Sequence, residues 1–345
     1  MTRILITGVA GFIGSSLAHE LVARGHDVRG IDNLSTGTLE NIRDLFPALT
    51  FERGDLCDLP LVRSLCEDID IVFHQGALPS VPKSVLDPWN SHNVNVNGTV
   101  TVLLAAKEAN VRRVVYAASS SAYGDSATLP KRESMSPYPI SPYAVQKLAG
   151  EHYMRSFAQV YGMETVCLRY FNVFGPRQAA DSPYSGVLAK FITSMLAGTA
   201  PTIFGDGMQT RDFTYIQNVV EANILAAWAP AGKVSGKVFN IACGEQHSLI
   251  ETYDRLAELL SFTHPPRFAA VRRADIRHSL ADISQARSAL GYSPSVSFLE
   301  GLRRTTAWYH SRVETEPAES LQHAAAVFNR SLAPEDASLT ITLPQ

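Results

Sequence analysis

The chain has 345 residues, of which 46% are hydrophobic and 18% are charged, and its formal net charge is −3. This composition predicts a soluble globular protein with a large core, and the small net charge argues against nucleic acid or an anionic membrane as partners. The four cysteines form no C-x-x-C pair, so we expect neither a metal site nor a disulfide framework. We predict a cytoplasmic protein, because a strand is predicted from Arg3, which leaves no room for a signal peptide, and no apolar run approaches the ~20 residues of a membrane span.

The first predicted elements form a dinucleotide site. An apolar, β-branched run at residues 3–7 leads into Gly8, Gly11 and Gly14, and a helical pattern of apolar residues follows. Glycines in this order let the backbone turn tightly, approach a pyrophosphate closely and pack the helix against the strand. The first N–H groups of that helix would then face the phosphates.

An acidic residue supports the same interpretation. Asp32 follows the second predicted strand, residues 27–31, and lies eighteen residues after Gly14. A carboxylate in this place accepts a hydrogen bond from a ribose hydroxyl and repels a 2′-phosphate. The sequence therefore predicts NAD rather than NADP.

Strands and helices alternate through the first half of the chain. We predict strands at residues 69–74, 113–118 and 165–170, and helices at residues 92–110 and 142–161. Such alternation is typical of a doubly wound α/β fold with a parallel sheet, the Rossmann arrangement.

The pattern changes after Asn172, where loop punctuation separates shorter elements. We therefore predict an NAD-binding Rossmann domain at residues 1–171, to which residues 212–242 return because residues 237–241 are again strand-like. Residues 172–211 and 243–312 would form a smaller α/β substrate-binding region. Residues 313–345 are rich in Pro, Glu, Ser and Ala, which predicts a flexible tail.

A tyrosine and a lysine four residues apart carry the predicted chemistry. Tyr143 and Lys147 share one face of the helix at residues 142–161. A neighbouring ammonium favours the phenolate, so we expect Lys147 to lower the pKa of Tyr143 toward that of a general base. Such a base removes a proton from a hydroxyl while a nicotinamide accepts the hydride.

Three serines, Ser119, Ser120 and Ser121, follow the predicted strand at residues 113–118. Ligands of open α/β sheets bind at the carboxyl ends of the strands, so a hydroxyl here could hydrogen-bond the reacting oxygen. A capping or turn role is the alternative.

Together these segments resemble the extended short-chain dehydrogenase/reductase family, and within it the nucleotide-sugar 4-epimerases. The resemblance covers about residues 3 to 310. It is carried by the glycine turn, by Tyr143-x-x-x-Lys147 and by the following motifs: Asp32-Asn33-Leu34-Ser35-Thr36-Gly37, Asp55-Leu56, His74-Gln75-Gly76-Ala77, Asn95-Val96-Asn97-Gly98-Thr99, Ser119-Ser120-Ser121-Ala122-Tyr123-Gly124, Arg169-Tyr170-Phe171-Asn172-Val173-Phe174-Gly175-Pro176 and Arg211-Asp212-Phe213-Thr214-Tyr215.

The resemblance implies a role for individual residues. Ser119, Tyr143 and Lys147 match the catalytic residues. The implied NAD site comprises Gly8, Gly11, Phe12, Ile13, Gly14, Asp32, Asn33, Ser35, Thr36, Gly37, Asp55, Leu56, Gln75, Ala77, Asn95, Tyr143, Lys147 and Tyr170. The implied substrate site comprises Ser80, Ser120, Ser121, Asn172, Arg211, Arg272, Asp275 and Ser279. For Arg272, an ordinary surface ion pair is an equal alternative.

Two features narrow the reaction that the resemblance implies. The related 4,6-dehydratases place an Asp-Glu pair where this chain has Ser120 and Ser121, and the related decarboxylases carry a Glu in this region that is also absent. Epimerisation needs neither acid, and its NAD stays tightly bound and is regenerated in each cycle. Ser279 stands where a tyrosine would restrict the enzyme to plain hexoses, so space is left for an N-acetyl group. We therefore predict interconversion of UDP-N-acetylglucosamine and UDP-N-acetylgalactosamine, with UDP-glucose and UDP-galactose as further substrates.

Several alternatives remain at this point. The chain could be a UDP-glucuronate 4-epimerase or a decarboxylase with altered acids, or a net dehydrogenase that releases NADH. A catalytically silent NAD-binding regulator is a hypothesis of another class, although Ser119, Tyr143 and Lys147 are all retained. The helices at residues 92–110 and 142–161 resemble a pair that forms a four-helix interface in this family, which predicts a homodimer.

Overall fold

A parallel sheet of seven strands lies at the centre of the computed structural model, which describes residues 1–180, 186–271 and 276–315. Within these residues the strands, in chain order, are β1 (Arg3–Thr7), β2 (Asp27–Asp32), β3 (Leu49–Arg53), β4 (Ile71–His74), β5 (Arg113–Ser119), β6 (Glu164–Tyr170), β7 (Val173–Phe174), β8 (Thr202–Phe204), β9 (Thr210–Arg211), β10 (Thr214–Tyr215), β11 (Lys237–Ile241), β12 (His247–Ser248) and β13 (Arg267–Ala269). The sheet order is β11-β6-β5-β4-β1-β2-β3.

The described residues form twelve α-helices. They are α1 (Phe12–Ala23), α2 (Leu59–Cys66), α3 (Val81–Leu86), α4 (Pro88–His92), α5 (Gly98–Glu108), α6 (Pro142–Tyr161), α7 (Val187–Leu196), α8 (Ile216–Trp228), α9 (Ala231–Val234), α10 (Leu249–Leu259), α11 (Ser284–Leu290) and α12 (Phe298–Thr315). A π-helical turn at Asn93–Asn97 joins α4 to α5, so the helix predicted at residues 92–110 consists of three helical segments in succession. No described helix is both long enough and apolar enough to cross a membrane.

The predicted doubly wound α/β fold is confirmed. Every neighbouring pair in the seven-stranded sheet is parallel, and the strand order runs outward in both directions from β1 and β4. Helices α1 and α8 cover one face with residues such as Leu17 and Val219, whereas α2, α5 and α6 cover the other with residues such as Val62, Leu103 and Met154. The carboxyl ends of all seven strands therefore meet at one edge.

The late strand β11 joins this sheet beside β6, with Val238 opposite Cys167 and Phe239 opposite Leu168. The shorter strands form three separate pairs, β7 with β10, β8 with β13 and β9 with β12. The division into a Rossmann domain and a substrate-binding region stays a prediction. The predicted tail, residues 313–345, begins inside α12, and residues 316–345 lie outside the described part of the chain.

Helix α6 shows how local sequence sets the ends of an element that carries the site. The Ser141 hydroxyl accepts a hydrogen bond from the N–H of Ala144 (3.2 Å), and Pro142 occupies the first helical position, where its missing donor does no harm. Gly162 ends the helix in a left-handed conformation, with φ of +67°. These two signals fix which residues face β5 and β6.

Candidate active site

The predicted glycine turn lies between β1 and α1. Gly8 has φ of +68°, and a Cβ on it would lie 2.7 Å from the Cα of Gly76. A Cβ on Gly14 would lie 2.1 Å from the carbonyl oxygen of Gly8. Only glycine fits at these two positions of the turn, which we call the dinucleotide cradle. No side chain caps the first turn of α1, where Phe12 and Ile13 lie half-buried. The uncapped N–H groups fit the pyrophosphate of a dinucleotide.

Asp32 lies at the carboxyl end of β2, beside the glycine turn. Its carboxylate accepts hydrogen bonds from the N–H of Ala10 (3.0 Å) and the N–H of Leu34 (2.8 Å). Burial raises the pKa of Asp32, and these backbone donors oppose the rise. A carboxylate can accept more hydrogen bonds than these, so Asp32 fits the ribose hydroxyls of NAD.

The segment after Asp32 folds back over this turn. A Cβ on Gly37 would lie 2.7 Å from the carbonyl carbon of Ala10, so the backbone of Gly37 packs directly on the turn. Ser35 and Thr36, which precede Gly37, are exposed. The Asn33 amide donates to the carboxylate of Asp55 (3.1 Å), which brings two segments of the predicted NAD site together. Leu56, next to Asp55, is buried and borders Gly76 and Gly98.

A buried amide that the sequence analysis missed links two residues of the predicted NAD site. The Oδ1 atom of Asn223 on α8 accepts from the Gln75 amide (3.0 Å) and from the Tyr170 hydroxyl (3.0 Å). Gln75 follows β4 and Tyr170 ends β6, so α8 links the ends of two strands. The signal in the sequence that could have identified Asn223 is its polar side chain on a helix face that is otherwise apolar.

Asn95 occupies the π-helical turn and fixes the loop that follows β4. Its amide binds both the N–H (2.8 Å) and the carbonyl (3.3 Å) of Leu78, one residue after the predicted Ala77. It also donates to the Gln146 side chain of α6 (2.9 Å). Ser80 caps α3 from the same loop, accepting from the N–H of Lys83 (3.1 Å). The loop is therefore tied to the helix that carries Tyr143.

The three predicted catalytic residues meet at the carboxyl edge of the sheet. The Ser119 hydroxyl, at the end of β5, lies beside the phenol of Tyr143. The Ser121 hydroxyl lies 2.9 Å from the Ser119 hydroxyl, and Ser120 is half-buried between them. Lys147 is 4% exposed, and its ammonium donates to the carbonyl of Ala117 on β5 (2.9 Å).

The electrostatics of the tyrosine differ from the prediction. Burial raises the pKa of Tyr143 to about 12, and the group that opposes this rise is the Ser119 hydroxyl. Burial also lowers the pKa of Lys147 to about 8. The prediction considered the charge of the ammonium alone, whereas removal of both groups from water disfavours both charged forms.

Three of the predicted substrate residues gather around β9. Arg211 ends β9, and the N–H of Ser279 donates to the carbonyl of Thr210 (3.1 Å). The amide of Asn172 donates to the carbonyl of Asp212 (3.2 Å). The structure thus brings Asn172, Arg211 and Ser279 together, whereas the predicted Arg272 and Asp275 lie outside the described residues.

Asp212 organises this region. Its fully buried carboxylate accepts from the N–H groups of Cys243 (3.0 Å), Gly244 (3.1 Å) and Ala281 (3.1 Å). Asp212 thereby joins its own segment to two others that are far away in sequence, residues 243–244 and residue 281. The loop after the serines joins them too, because the N–H of Lys131 donates to the carbonyl of Leu280 (2.7 Å).

Comparison with known proteins gives matches over nearly the whole chain. Residues 4–242 match the model of the NAD-dependent epimerase/dehydratase family. The chain is 38% identical to the UDP-glucose 4-epimerase of Mycolicibacterium smegmatis over 314 residues, which is 90% of this chain and 99% of that protein.

Two solved structures have the same fold. The UDP-N-acetylglucosamine 4-epimerase of Methanobrevibacter ruminantium, in complex with UDP-N-acetylmuramic acid, is 38% identical with a TM-score of 0.86, over 90% of this chain and 99% of that one. The UDP-glucuronic acid 4-epimerase of Bacillus cereus, in complex with UDP-glucuronic acid and NAD, is 33% identical with a TM-score of 0.84, over 90% and 100%. The three proteins are named for different sugars, so likeness alone does not select one.

Proposed function

Because the chain belongs to the NAD-dependent epimerase/dehydratase family, we propose that it interconverts UDP-N-acetylglucosamine and UDP-N-acetylgalactosamine, with UDP-glucose and UDP-galactose as further substrates. The predictions of family, of an isomerase and of NAD as cofactor are confirmed. The observation that carries the reaction is the position of the Ser119 hydroxyl beside the phenol of Tyr143, with Lys147 one helical turn away and the dinucleotide cradle at the same edge of the sheet.

NAD, when bound, supplies the acceptor for a hydride from C4 of the sugar and the donor that returns it. Tyr143 takes the proton of the C4 hydroxyl as the 4-keto sugar forms and gives it back as the keto group is reduced. The Ser119 hydroxyl holds the same oxygen, and the Lys147 ammonium stabilises the phenolate. Ser120 and Ser121 cannot protonate a leaving hydroxyl as a carboxylic acid would, which favours epimerisation over loss of water.

Ser279 supports the choice of sugar. Its side chain is small, and the residue is 9% exposed beside Arg211, which would bind the diphosphate. A serine here leaves volume for an N-acetyl group and a hydroxyl to meet its amide. A tyrosine in its place would fill that volume.

A panel of UDP-sugars tests the proposal. Purified protein is first analysed by mass spectrometry for bound NAD and then incubated with UDP-N-acetylglucosamine, UDP-glucose and UDP-glucuronate. We expect C4 epimers of the first two without release of NADH. Turnover of UDP-glucuronate alone would reassign the sugar, stoichiometric NADH would indicate a dehydrogenase, and no epimer from any of the three would refute the proposal.

Ser279→Tyr tests the sugar assignment separately. We expect turnover of UDP-N-acetylglucosamine to fall at least about tenfold, since excluded volume is worth roughly 1–3 kcal/mol, while UDP-glucose is retained. Ser279→Ala is the matched control, because it keeps the space and removes only the hydroxyl. An equal loss of both sugars in Ser279→Tyr would contradict the assignment.

We also propose a homodimer. Apolar side chains are exposed along α4 and α6, with Trp89 82% exposed, Val145 52% and Val160 66%. Burial of such side chains between two copies would remove apolar area from water. Light scattering after size exclusion measures the mass, and Val145→Glu should yield a monomer, whereas a monomeric wild type would refute the proposal.

A further inference from the structure

Two charged residues that the mechanism does not use lie buried behind Lys147. Glu151 is 4% exposed, and its carboxylate accepts two hydrogen bonds from the Arg169 guanidinium, at 2.8 and 2.7 Å. Arg169 belongs to β6 and is 3% exposed. A paired carboxylate and guanidinium so deep in a protein contribute little net stability, so their position calls for another reason.

The position relates the pair to the site. Tyr143, Lys147 and Glu151 follow one another at intervals of four residues on α6, so they lie in one row on the face that packs against β5 and β6. Arg169, on β6 of the sheet, contacts the last residue of this row, Glu151. Its guanidinium carbon lies 4.6 Å from the centre of the Tyr123 ring, in the turn that follows the three serines.

We propose that Glu151 and Arg169 set the charge of Lys147 and thereby the alkaline limit of catalysis. The inference rests on the proposed function, in which Lys147 must carry a proton to stabilise the phenolate. An ammonium out of water tends to lose its proton unless an opposite charge is near. Glu151 supplies that charge, and Arg169 offsets part of it.

The other buried titratable groups near Lys147, on β4, β5 and β6, do not carry charge. His74 on β4 is neutral, because burial and the charge of Lys147 lower its pKa to about 3. Burial raises the pKa of Tyr116 on β5 and of Cys167 on β6 well above their ordinary values. Arg155 is charged but exposed on α6, where solvent screens it.

The charges of Glu151 and Arg169 determine in which direction each substitution moves the pKa of Lys147. Burial lowers the pKa of Lys147 to about 8, and Glu151 opposes that change. Glu151→Gln removes the opposing charge and leaves Arg169, so Lys147 loses its proton at lower pH. Arg169→Met leaves the full charge of Glu151, so Lys147 keeps its proton to higher pH. A pair that only held α6 to β6 would give the same effect in both variants.

The test measures the pH dependence of kcat for wild type, Glu151→Gln and Arg169→Met. The alkaline limb should move down by about one pH unit in the first variant and up in the second. Glu151→Asp, which keeps the charge, should restore most of the wild-type profile. Arg155→Gln removes an exposed cation from the same helix and is the matched control, with no shift expected.

Two further measurements keep the outcome decisive. The double variant Glu151→Gln/Arg169→Met removes both charges together and can be used if a single variant does not fold. Its alkaline limb in the pH profile of kcat should lie between those of the two single variants. Proteins labelled with ¹³C at lysine Cε report the titration of Lys147 by NMR without any turnover, with Lys147→Arg for assignment. Opposite shifts of Lys147 without epimerase activity would refute the proposed function alone. Normal epimerisation with the Lys147 titration unmoved in both variants would overturn the inference alone.

Discussion

Gly14→Ala tests the central packing contact of the dinucleotide cradle. The added Cβ would lie 2.1 Å from the carbonyl oxygen of Gly8 and 2.8 Å from its carbonyl carbon, closer than the 3.0 Å below which Cβ contacts essentially do not occur. The oxygen must retreat by about 1 Å. That carbonyl also accepts the N–H of Gly11 (3.1 Å), so the turn cannot move without weakening the bond. We expect a loss of about 2–4 kcal/mol from overpacking and the weakened hydrogen bond.

Two assays measure the effect. Thermal unfolding should show Tm lowered by roughly 3–6 °C, because a chain of this length has a large unfolding entropy. The NAD that co-purifies with the protein, released and quantified by mass spectrometry, should fall about tenfold or more, because the displaced turn no longer presents its N–H groups to the pyrophosphate. Gly232→Ala is the control, since its Cβ meets no atom within 4 Å. Wild-type Tm and NAD content in Gly14→Ala would refute the reasoning.

Other variants test other parts of the molecule. Tyr143→Phe should retain NAD and lose epimerisation by at least about a hundredfold, as measured by product separation, whereas the exposed Tyr138→Phe should be unchanged. Asp212→Asn removes the carboxylate that holds two backbone segments around the substrate site, so steady-state kinetics should show KM raised more than kcat is lowered; an equal loss in both would contradict this role. Arg113→Met breaks the buried pair with Glu164 and frees three carbonyl groups at the end of α8, so the free energy of unfolding should fall by about 3 kcal/mol in denaturant titration, and an unchanged midpoint would count against it.

The central sheet was predictable because its signals are local. Buried parallel strands are continuous apolar runs, so residues 113–118 and 165–170 were recognised to within a residue of β5 and β6. The helix predicted at residues 142–161 matches α6 at both ends, since Ser141, Pro142 and Gly162 mark them. The pairs β8 with β13 and β9 with β12 join strands of two or three residues, too short for a periodic pattern.

The buried polar groups escaped prediction for a different reason. Glu151 and Arg169 look in sequence like residues on a solvated face, and burial is set by the strand that packs against the helix rather than by neighbours along the chain. Asp212 was noticed only as part of a motif, because its three backbone donors lie 31, 32 and 69 residues away in the sequence. The rise in the pKa of Tyr143 has the same origin, since desolvation depends on the whole fold.

A buried hydrogen-bond chain runs across the cofactor edge of the sheet through His74. The hydroxyl of Thr7 accepts from the N–H of Gly76 (3.0 Å) and lies 2.8 Å from Nδ1 of His74. The hydroxyl of Thr99 donates to the carbonyl of Asn95 (2.7 Å) and lies 2.9 Å from Nε2 of the same ring. Because the Thr99 hydroxyl already donates its proton to Asn95, it can only accept from Nε2 of His74, so Nε2 carries the ring proton. In the neutral ring Nδ1 is then an acceptor, and it accepts the proton of the Thr7 hydroxyl. The accounting fixes one neutral tautomer.

The hydrogen-bond chain through this form of His74 joins the glycine turn to the loop that follows β4. The low pKa of His74, about 3, keeps the ring neutral, so no pH used in an assay reverses the direction of the chain. At one end is Gly76, against which Gly8 packs, and at the other is Asn95, whose amide holds the backbone of Leu78. Displacing the dinucleotide turn relative to the active-site loop would break a buried hydrogen bond, which costs about 1–3 kcal/mol. The glycine turn and the loop that follows β4 therefore behave as one unit, which gives a physical reason for motifs that lie far apart in the sequence to serve one site.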